Sequence, residues 1–403
     1  MTGADARRLV ESFDPARLDA SFYDDPYPVY RALREHSPVH RCPDGTWFLT
    51  RYRDLDRIYR DRSHFSSDKQ AAFAPKFGSD SPLYEHHTTS LVFRDAPYHT
   101  RVRRQIVGAL TPHVLQSMEP GVAALVDRLH DELEQRGQFD LIEHFAAAIP
   151  IEVIGNLLQV PRAERAPLRG WSLAILGALE PVVSAEQRIS GDRAVSDFCS
   201  YLRGLIEARR RYPLGDDDLL TRLAGDTQLT EVELLHNCIF LLNAGHETTT
   251  NLIGNSLHLL LDAPETLERL RAEPRCIDAT IEECLRLESP NQLGNRLVVE
   301  PVRLGAIELA PGDYLTLCIG AANRDPEEFT EPDRFDATRR PNRHLAFAAG
   351  AHACAGMSVA RLEAQIAILK TVRRFPDLHL TGGAVRGGRA RFRGFRSLPA
   401  ACR

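Results

Sequence analysis

No stretch of this sequence stays apolar for the roughly 18 residues that a membrane-spanning helix needs. The opening MTGADARRLVESFDPARLDA has neither a signal-peptide nor an anchor pattern. No Cys-x-x-Cys pair occurs. The eight cysteines (Cys42, Cys199, Cys238, Cys276, Cys284, Cys318, Cys354 and Cys402) are scattered, the nearest two being Cys276 and Cys284. That scatter excludes zinc-ribbon and thioredoxin-like readings and, in a chain this long, argues against a disulfide framework. An excess of one charge is also missing. With 50 Lys and Arg against 55 Asp and Glu, the net charge is −5, which gives no electrostatic basis for binding nucleic acid. No Gly-x-Gly-x-x-Gly follows a strand-like segment, so a flavin or nicotinamide domain is not expected. There is no internal repeat and no low-complexity linker. The expectation is a cytoplasmic globular protein.

What is present supports a large core. The chain has 403 residues, 43% apolar and 26% charged. This exceeds the roughly 250–300 residues at which one core stops growing, so two domains or one large one are expected. Helical periodicity dominates from about 95 to 290, and short β-like stretches lie near Trp47–Thr50 and between Leu297 and Leu317. The reading is mainly α, a large helical body with a smaller β-containing part to which both ends of the sequence contribute.

One helix stands apart. Thr230-Glu231-Val232-Glu233 fits a capping box, and the pattern runs to Asp262, where Ala263-Pro264 stops it. Its flanks are apolar, but its middle reads Ala244-Gly245-His246-Glu247-Thr248-Thr249-Thr250. Glycine costs about 1 kcal/mol against alanine inside a helix, and threonines compete for carbonyls one turn back. Such a cluster points to function: a local opening of the helix that holds a small polar ligand beside an acid and a hydroxyl.

A second candidate is Phe347-Ala348-Ala349-Gly350-Ala351-His352-Ala353-Cys354-Ala355-Gly356, followed by a helix-like run. A cysteine just ahead of a helix N-terminus faces unpaired amides that stabilise a thiolate. Gly350 and Gly356 would let backbone approach a flat cofactor closely.

This string resembles the haem-binding loop of the cytochrome P-450 superfamily, the haem-thiolate monooxygenases of soluble bacterial type. The resemblance implies that Cys354 is the axial ligand of haem b, with Phe347, Gly350 and Gly356 framing it. Ala348 stands where glycine is commoner, a departure that ordinary backbone angles there would tolerate. The Ala244–Thr248 stretch is similar to the family's oxygen-activating helix, which assigns Glu247 and Thr248 to proton delivery and Ala244 to the haem face. Three further matches extend the resemblance. Glu283 and Arg286, with Arg334 from Pro332-Asp333-Arg334-Phe335, match a buried structural network. His99 and Arg103 share a helical face in Asp95–Arg104, and with Arg296 and His352 they match donors for the haem carboxylates. Ala321–Pro326 and Asn342–Phe347 match the run-up to the cysteine loop.

The resemblance implies a single cytochrome P-450 domain over 1–403, with haem between the long central helix and the helix after the cysteine loop. It further implies insertion of one oxygen atom of dioxygen into a small organic substrate, with hydroxylation as the expected outcome. Electrons would come from a separate ferredoxin and its reductase, docking on arginines such as Arg104, Arg343 and Arg361, and the protein is expected to be a monomer. By the same resemblance the substrate pocket draws on the loop from about Ser66 to Phe93, on Trp171–Val183, and on Leu242, Asn243, Leu293, Asn295 and Phe395. A peroxide-driven peroxygenase of the same fold would not need the Glu247-Thr248 pair. A non-catalytic haem sensor or carrier is the remaining alternative.

Overall fold

The computed structural model describes residues 3–215 and 218–402. The chain forms two compact units, each assembled from separated segments. One comprises Met1–Ser67, Asn251–Cys354 and Leu378–Pro399; the other comprises Asp68–Thr250, Ala355–Asp377 and Ala400–Arg403.

The first unit is built on a five-stranded sheet. Its strands run in the order Val39–Arg41, Trp47–Leu49, Tyr314–Cys318, Leu293–Val298 and Phe65–Ser66. Trp47–Leu49 pairs parallel with Leu315–Leu317, and Leu293–Leu297 runs antiparallel to Tyr314–Cys318 with Arg296 opposite Leu315. Strands from opposite ends of the sequence therefore share one ladder. Leu49, Leu315, Leu317 and Val298 bury one face of it together with Tyr59, Leu345 and Ala349, so the run-up to the cysteine loop is anchored in the apolar layer of the sheet.

The second unit is helical. Pro112–Arg136 and Ala185–Arg211 start at side-chain caps, Thr111 accepting from the Val114 amide and Ser184 forming a full capping box with Gln187. Met357–Arg374 packs against the first of these, where the His130 imidazole meets the Thr371 hydroxyl at 3.0 Å. Ser66–Phe93, expected to be a loop, instead contains the helices Gln70–Phe77 and Pro82–Thr89 and a short turn of 3-10 helix. Ser81 caps the second of these, and Pro82 occupies its first turn, where a missing N–H costs nothing.

The long helix spans Glu231–Leu261, 31 residues or about 46 Å. Its capping box is formed as expected. The Thr230 amide donates to Glu233 at 2.9 Å, and the Glu233 amide donates to the Thr230 hydroxyl at 3.2 Å. The helix belongs to the helical unit through Thr250 and to the sheet unit from Asn251 onward.

Candidate active site

The cysteine loop closes on itself. The Ala348 amide donates to the Leu345 carbonyl at 2.8 Å, Ala353 to Gly350 at 3.2 Å, and Cys354 to Phe347 at 2.9 Å. Gly350 has φ +70, and a Cβ there would strike the backbone carbonyl of Tyr59, so only glycine fits. Ala348 corrects an expectation. Its φ is +56, a left-handed conformation rather than an ordinary one, which costs an L-residue about 1–2 kcal/mol. Gly356 caps the following helix with φ −93 and needs no such freedom.

Among the cysteines, environment discriminates. Burial pushes the thiols of Cys42 and Cys199 up to about 11 and those of Cys238, Cys284 and Cys318 up to about 12. Cys402 is shifted upward by the same cause. Cys276 points its sulfur at the Glu273 carboxylate, 3.5 Å away. Cys354 is half-buried, two positions ahead of the Gly356 helix cap.

The middle of the long helix shows the second feature. Ala244 is exposed and Leu241, Gly245 and Thr248 are half-buried, although Leu242, Asn243, His246, Glu247, Thr249 and Thr250 around them are buried. Spacing of three and four residues puts the accessible positions on one face, almost free of bulky side chains at Ala244 and Gly245. The helix itself runs unbroken, so the expected opening is not a gap in its backbone. The Thr248 hydroxyl donates to the Ala244 carbonyl at 2.6 Å and the Thr250 hydroxyl to His246 at 3.1 Å, which satisfies both threonines within the helix.

The basic residues lie in both units. In the helical unit, His99 and Arg103 occupy one face of helix Tyr98–Gly108, His99 buried and Arg103 half-buried. That helix is held by Asn237, whose amide donates to the Tyr98 hydroxyl at 2.7 Å, which in turn donates to the Thr89 carbonyl at 3.0 Å. In the sheet unit, the Arg296 guanidinium lies 5.0 Å from the Tyr59 ring centroid, and His352 closes the turn Gly350–His352. Tyr59 thus supports Arg296 with its ring and abuts Gly350 with its carbonyl, a role that no pattern around it in the sequence suggests.

Glu283 and Arg286 are completely buried and joined by two parallel bonds of 2.8 Å. Arg286 also donates to the carbonyls of Asn323, Pro332 and Arg334 at 2.6–3.1 Å. The third arginine is not Arg334. Its guanidinium is 63% exposed and pairs with Glu331 at 2.8 Å, leaving only its carbonyl in the network. Arg339 takes the place expected of it, reaching Glu283 at 3.2 Å with a side chain only 10% exposed. Asn342 adds a bond to Glu283 at 3.1 Å, and Asn323 accepts from the Leu345 amide at 2.7 Å. The network is thereby tied to the residues leading into the cysteine loop.

The expected pocket residues divide. Leu242 is buried in the apolar cluster of the helical unit. Asn243 is buried beside it, with both side-chain polar atoms unmatched among the described residues. In the sheet unit Leu293 is buried, Asn295 accepts from Arg391 at 2.6 Å, and Phe395 stacks on His258 at 4.7 Å beneath the Arg386 guanidinium. These three side chains are engaged in packing and hydrogen bonding within their own unit.

The cytochrome P-450 family model matches residues 193–382. The biotin biosynthesis cytochrome P-450 of Bacillus subtilis (strain 168) is 35% identical over 365 residues, covering 90% of this chain and 92% of that protein. The vitamin D(3) 25-hydroxylase of Pseudonocardia autotrophica is 34% identical, covering 91% and 90%. The crystal structure of P450BioI with an acyl carrier protein bearing hexadec-9Z-enoic acid superimposes with a TM-score of 0.90 at 34% identity, covering 95% of this chain and all of that one. The chain belongs to the cytochrome P-450 family. It is a haem-thiolate monooxygenase that carries haem b on a cysteine thiolate and inserts one oxygen atom of dioxygen into an organic substrate. The side chains fit that group. Cys354 is outside the group of five cysteines that burial holds firmly as thiols, a face of the long helix is clear of bulky side chains, and each unit supplies two basic residues of the kind that pair with carboxylates.

Proposed function

We propose that Cys354 would hold the haem iron, that Glu247 and Thr248 deliver protons at the reaction site, and that His99, Arg103, Arg296 and His352 would hold the two haem carboxylates. The observation that carries this reading is the cysteine loop, bonded from Cys354 back to Phe347 and seated by Gly350 on the Tyr59 carbonyl. Phe347, Gly350 and Gly356 frame the ligand, and Ala244 leaves the haem face open. Bound haem supplies the activation of dioxygen and the transfer of its oxygen atom.

The chain does the rest. Cys354 holds the iron through a thiolate. The Thr248 hydroxyl, which donates to the Ala244 carbonyl at 2.6 Å, would turn from that carbonyl to hold and pass a proton at its own oxygen. Glu247, 6% exposed, replenishes it, while the buried neighbours on the helix keep bulk water out. Glu283, Arg286 and Arg339 do no chemistry and hold the loop in register. Leu242 and Asn243 border the substrate; Leu293, Asn295 and Phe395 are held by contacts within the sheet unit and receive no separate role.

Electrons come from a ferredoxin and its reductase. Arg104 and Arg343 are exposed and Arg361 half-buried, which supports docking of an acidic partner. Among the described residues no helix is long and apolar enough to cross a membrane; we read the protein as a cytoplasmic monomer. Because each compact unit is assembled from separated segments, we read 1–403 as one domain that cannot be divided by a single cut. The test is Cys354→Ser. It is expected to abolish the red-shifted Soret band of the reduced carbon monoxide complex; persistence of the band would refute the ligand assignment.

A further inference from the structure

Three histidines of the helical unit gather where helix Pro82–Thr89 meets the long helix. His86 and His87, adjacent on the shorter helix, have ring centroids 5.0 Å apart, and His86 lies 5.4 Å from His236 of the long helix. None of the three is more than 2% exposed. His87 is ringed by Phe73, Phe77 and Phe93 at 5.4–5.9 Å. The His236 imidazole meets the Glu85 carboxylate at 3.1 Å, and the Leu91 amide donates to the Asn237 side chain at 3.0 Å. These two bonds fasten the helix and the turn after it to the long helix. Apolar packing holds the other side, where Leu83 is fully buried against Gly191 of helix Ala185–Arg211 and a Cβ on that glycine would strike it.

The charges around this cluster are mostly committed elsewhere. Glu85, on the helix itself, is exposed and pairs with His236. On helix Ala185–Arg211, Asp192 accepts from the Ser81 hydroxyl at 2.6 Å and the Leu83 amide at 3.0 Å, the Arg203 charge opposes a proton on His236, and burial keeps the Cys199 thiol neutral. Lys69 is buried at the start of helix Gln70–Phe77, and Lys76 near its end donates to the Glu180 carbonyl at 2.7 Å. Beyond the following turn Arg94 lies over the Tyr98 ring, and on the long helix Glu233 accepts from the Thr230 amide. Burial, and then the neighbouring His87 and His236, hold His86 well below the ordinary 6.5. Burial also lowers His236, with Glu85 opposing. A proton on one of these packed rings would lose its hydration and repel the next ring. The docked helix therefore binds fewer protons than the released one. Its docking is complete above about pH 6.5 and weakens as pH falls below that.

We propose that His86, His87 and His236 form an acid-sensitive latch: while neutral they hold helix Pro82–Thr89 on the long helix, and protons on the cluster release it. Glu85 sets the threshold, because its pairing with His236 offsets a first proton. The latch rests on none of the assignments made for Cys354, Glu247 or Thr248.

The test is amide hydrogen exchange of the ferric holoprotein at about pH 7.5 and about pH 5.5, corrected for the intrinsic exchange rate at each. Helix Pro82–Thr89 is followed beside helix Ile277–Leu287, which contains no histidine. An imidazole that is neutral when docked and titrates at an ordinary 6.5 when released favours release by a factor of about 11 at pH 5.5 and about 1.1 at pH 7.5. Protection of Pro82–Thr89 should therefore fall about tenfold from His86 alone, while that of Ile277–Leu287 changes less than about twofold. His86→Gln should recover about tenfold of the fall. Glu85→Gln changes only an exposed side chain and serves even if His86→Gln fails to fold; it should deepen the fall, because His236 loses the carboxylate that offsets its proton. The proposal is overturned if protection of Pro82–Thr89 does not change with pH, or if both helices lose it equally. It is also overturned if His86→Gln recovers nothing or Glu85→Gln leaves the fall unchanged.

Discussion

Replacing Arg339 and Arg334 one at a time separates a buried network from its surface lookalike. Arg339 is 10% exposed and gives Glu283 a forked contact at 3.2–3.3 Å, while its terminal nitrogens donate to the Thr330, Glu331 and Arg334 carbonyls at 2.7, 3.3 and 3.4 Å. In Arg339→Ala, Glu283 keeps Arg286, Asn342 and the Asp336 amide, so no bare charge is left behind. The loss is then that of a charge-assisted contact and its companions, about 2–3 kcal/mol. An unfolding entropy of about 2.1 cal/mol/K per residue gives roughly 0.85 kcal/mol per degree for this length, so the midpoint falls by about 3 °C. Arg334 pairs with Glu331 across solvent, 63% and 64% exposed, and Arg334→Ala should cost at most about 0.5 kcal/mol, under 1 °C. The assay is the apparent thermal midpoint of both ferric holoproteins at one scan rate, with haem retention followed in parallel. Equal effects, or a larger one for Arg334, would refute the assignment of Arg339 to the network.

Other outcomes are equally specific. Thr248→Ala should retain haem but divert reductant to peroxide; unchanged coupling of reductant to product would remove Thr248 from proton delivery. Ala348→Gly should relieve the left-handed strain and raise stability by up to about 1 kcal/mol, read as a midpoint about 1 °C higher. A lower midpoint would mean that the methyl group's packing outweighs the strain. His130 is buried, and that burial, ahead of its charged neighbours, pushes its protonation from the ordinary 6.5 down to about 4. The unfolded chain therefore binds the extra proton first, so this contribution is complete above about pH 6.5 and is lost as pH falls toward 4. In that window His130→Gln should flatten the pH dependence of denaturant-measured stability by up to about 1.4 kcal/mol per pH unit. An unaltered slope would assign the acid sensitivity to other buried groups.

Much of the candidate site is legible in the sequence because its signals are local. The Thr230–Glu233 capping box, the polar interruption at Ala244–Thr250 and the i, i+3 spacing of Glu283 and Arg286 each follow from helical geometry within a turn or two. The two helices in 70–89 were also within reach. Ser81 followed by Pro82 is a helix start, and the surrounding aromatic and polar mixture obscured it. Leu293, Asn295 and Phe395 were not legible, because strand pairing and the contacts of Arg391, His258 and Arg386 decide what those side chains face.

By itself the sequence determined the long helix and its cap, the family, and the loop that carries Cys354, since each is written in neighbouring residues. Only the tertiary structure decided that Arg339 rather than Arg334 reaches Glu283, because the path of the turn sets where a guanidinium points. It alone showed that burial keeps five cysteines as strongly shifted thiols while Cys354 stays accessible, since desolvation depends on packing from distant segments. It alone revealed the left-handed Ala348 and the Tyr59 carbonyl under Gly350. In each case the deciding neighbour lies outside the local pattern, and its presence is a matter of three-dimensional contact.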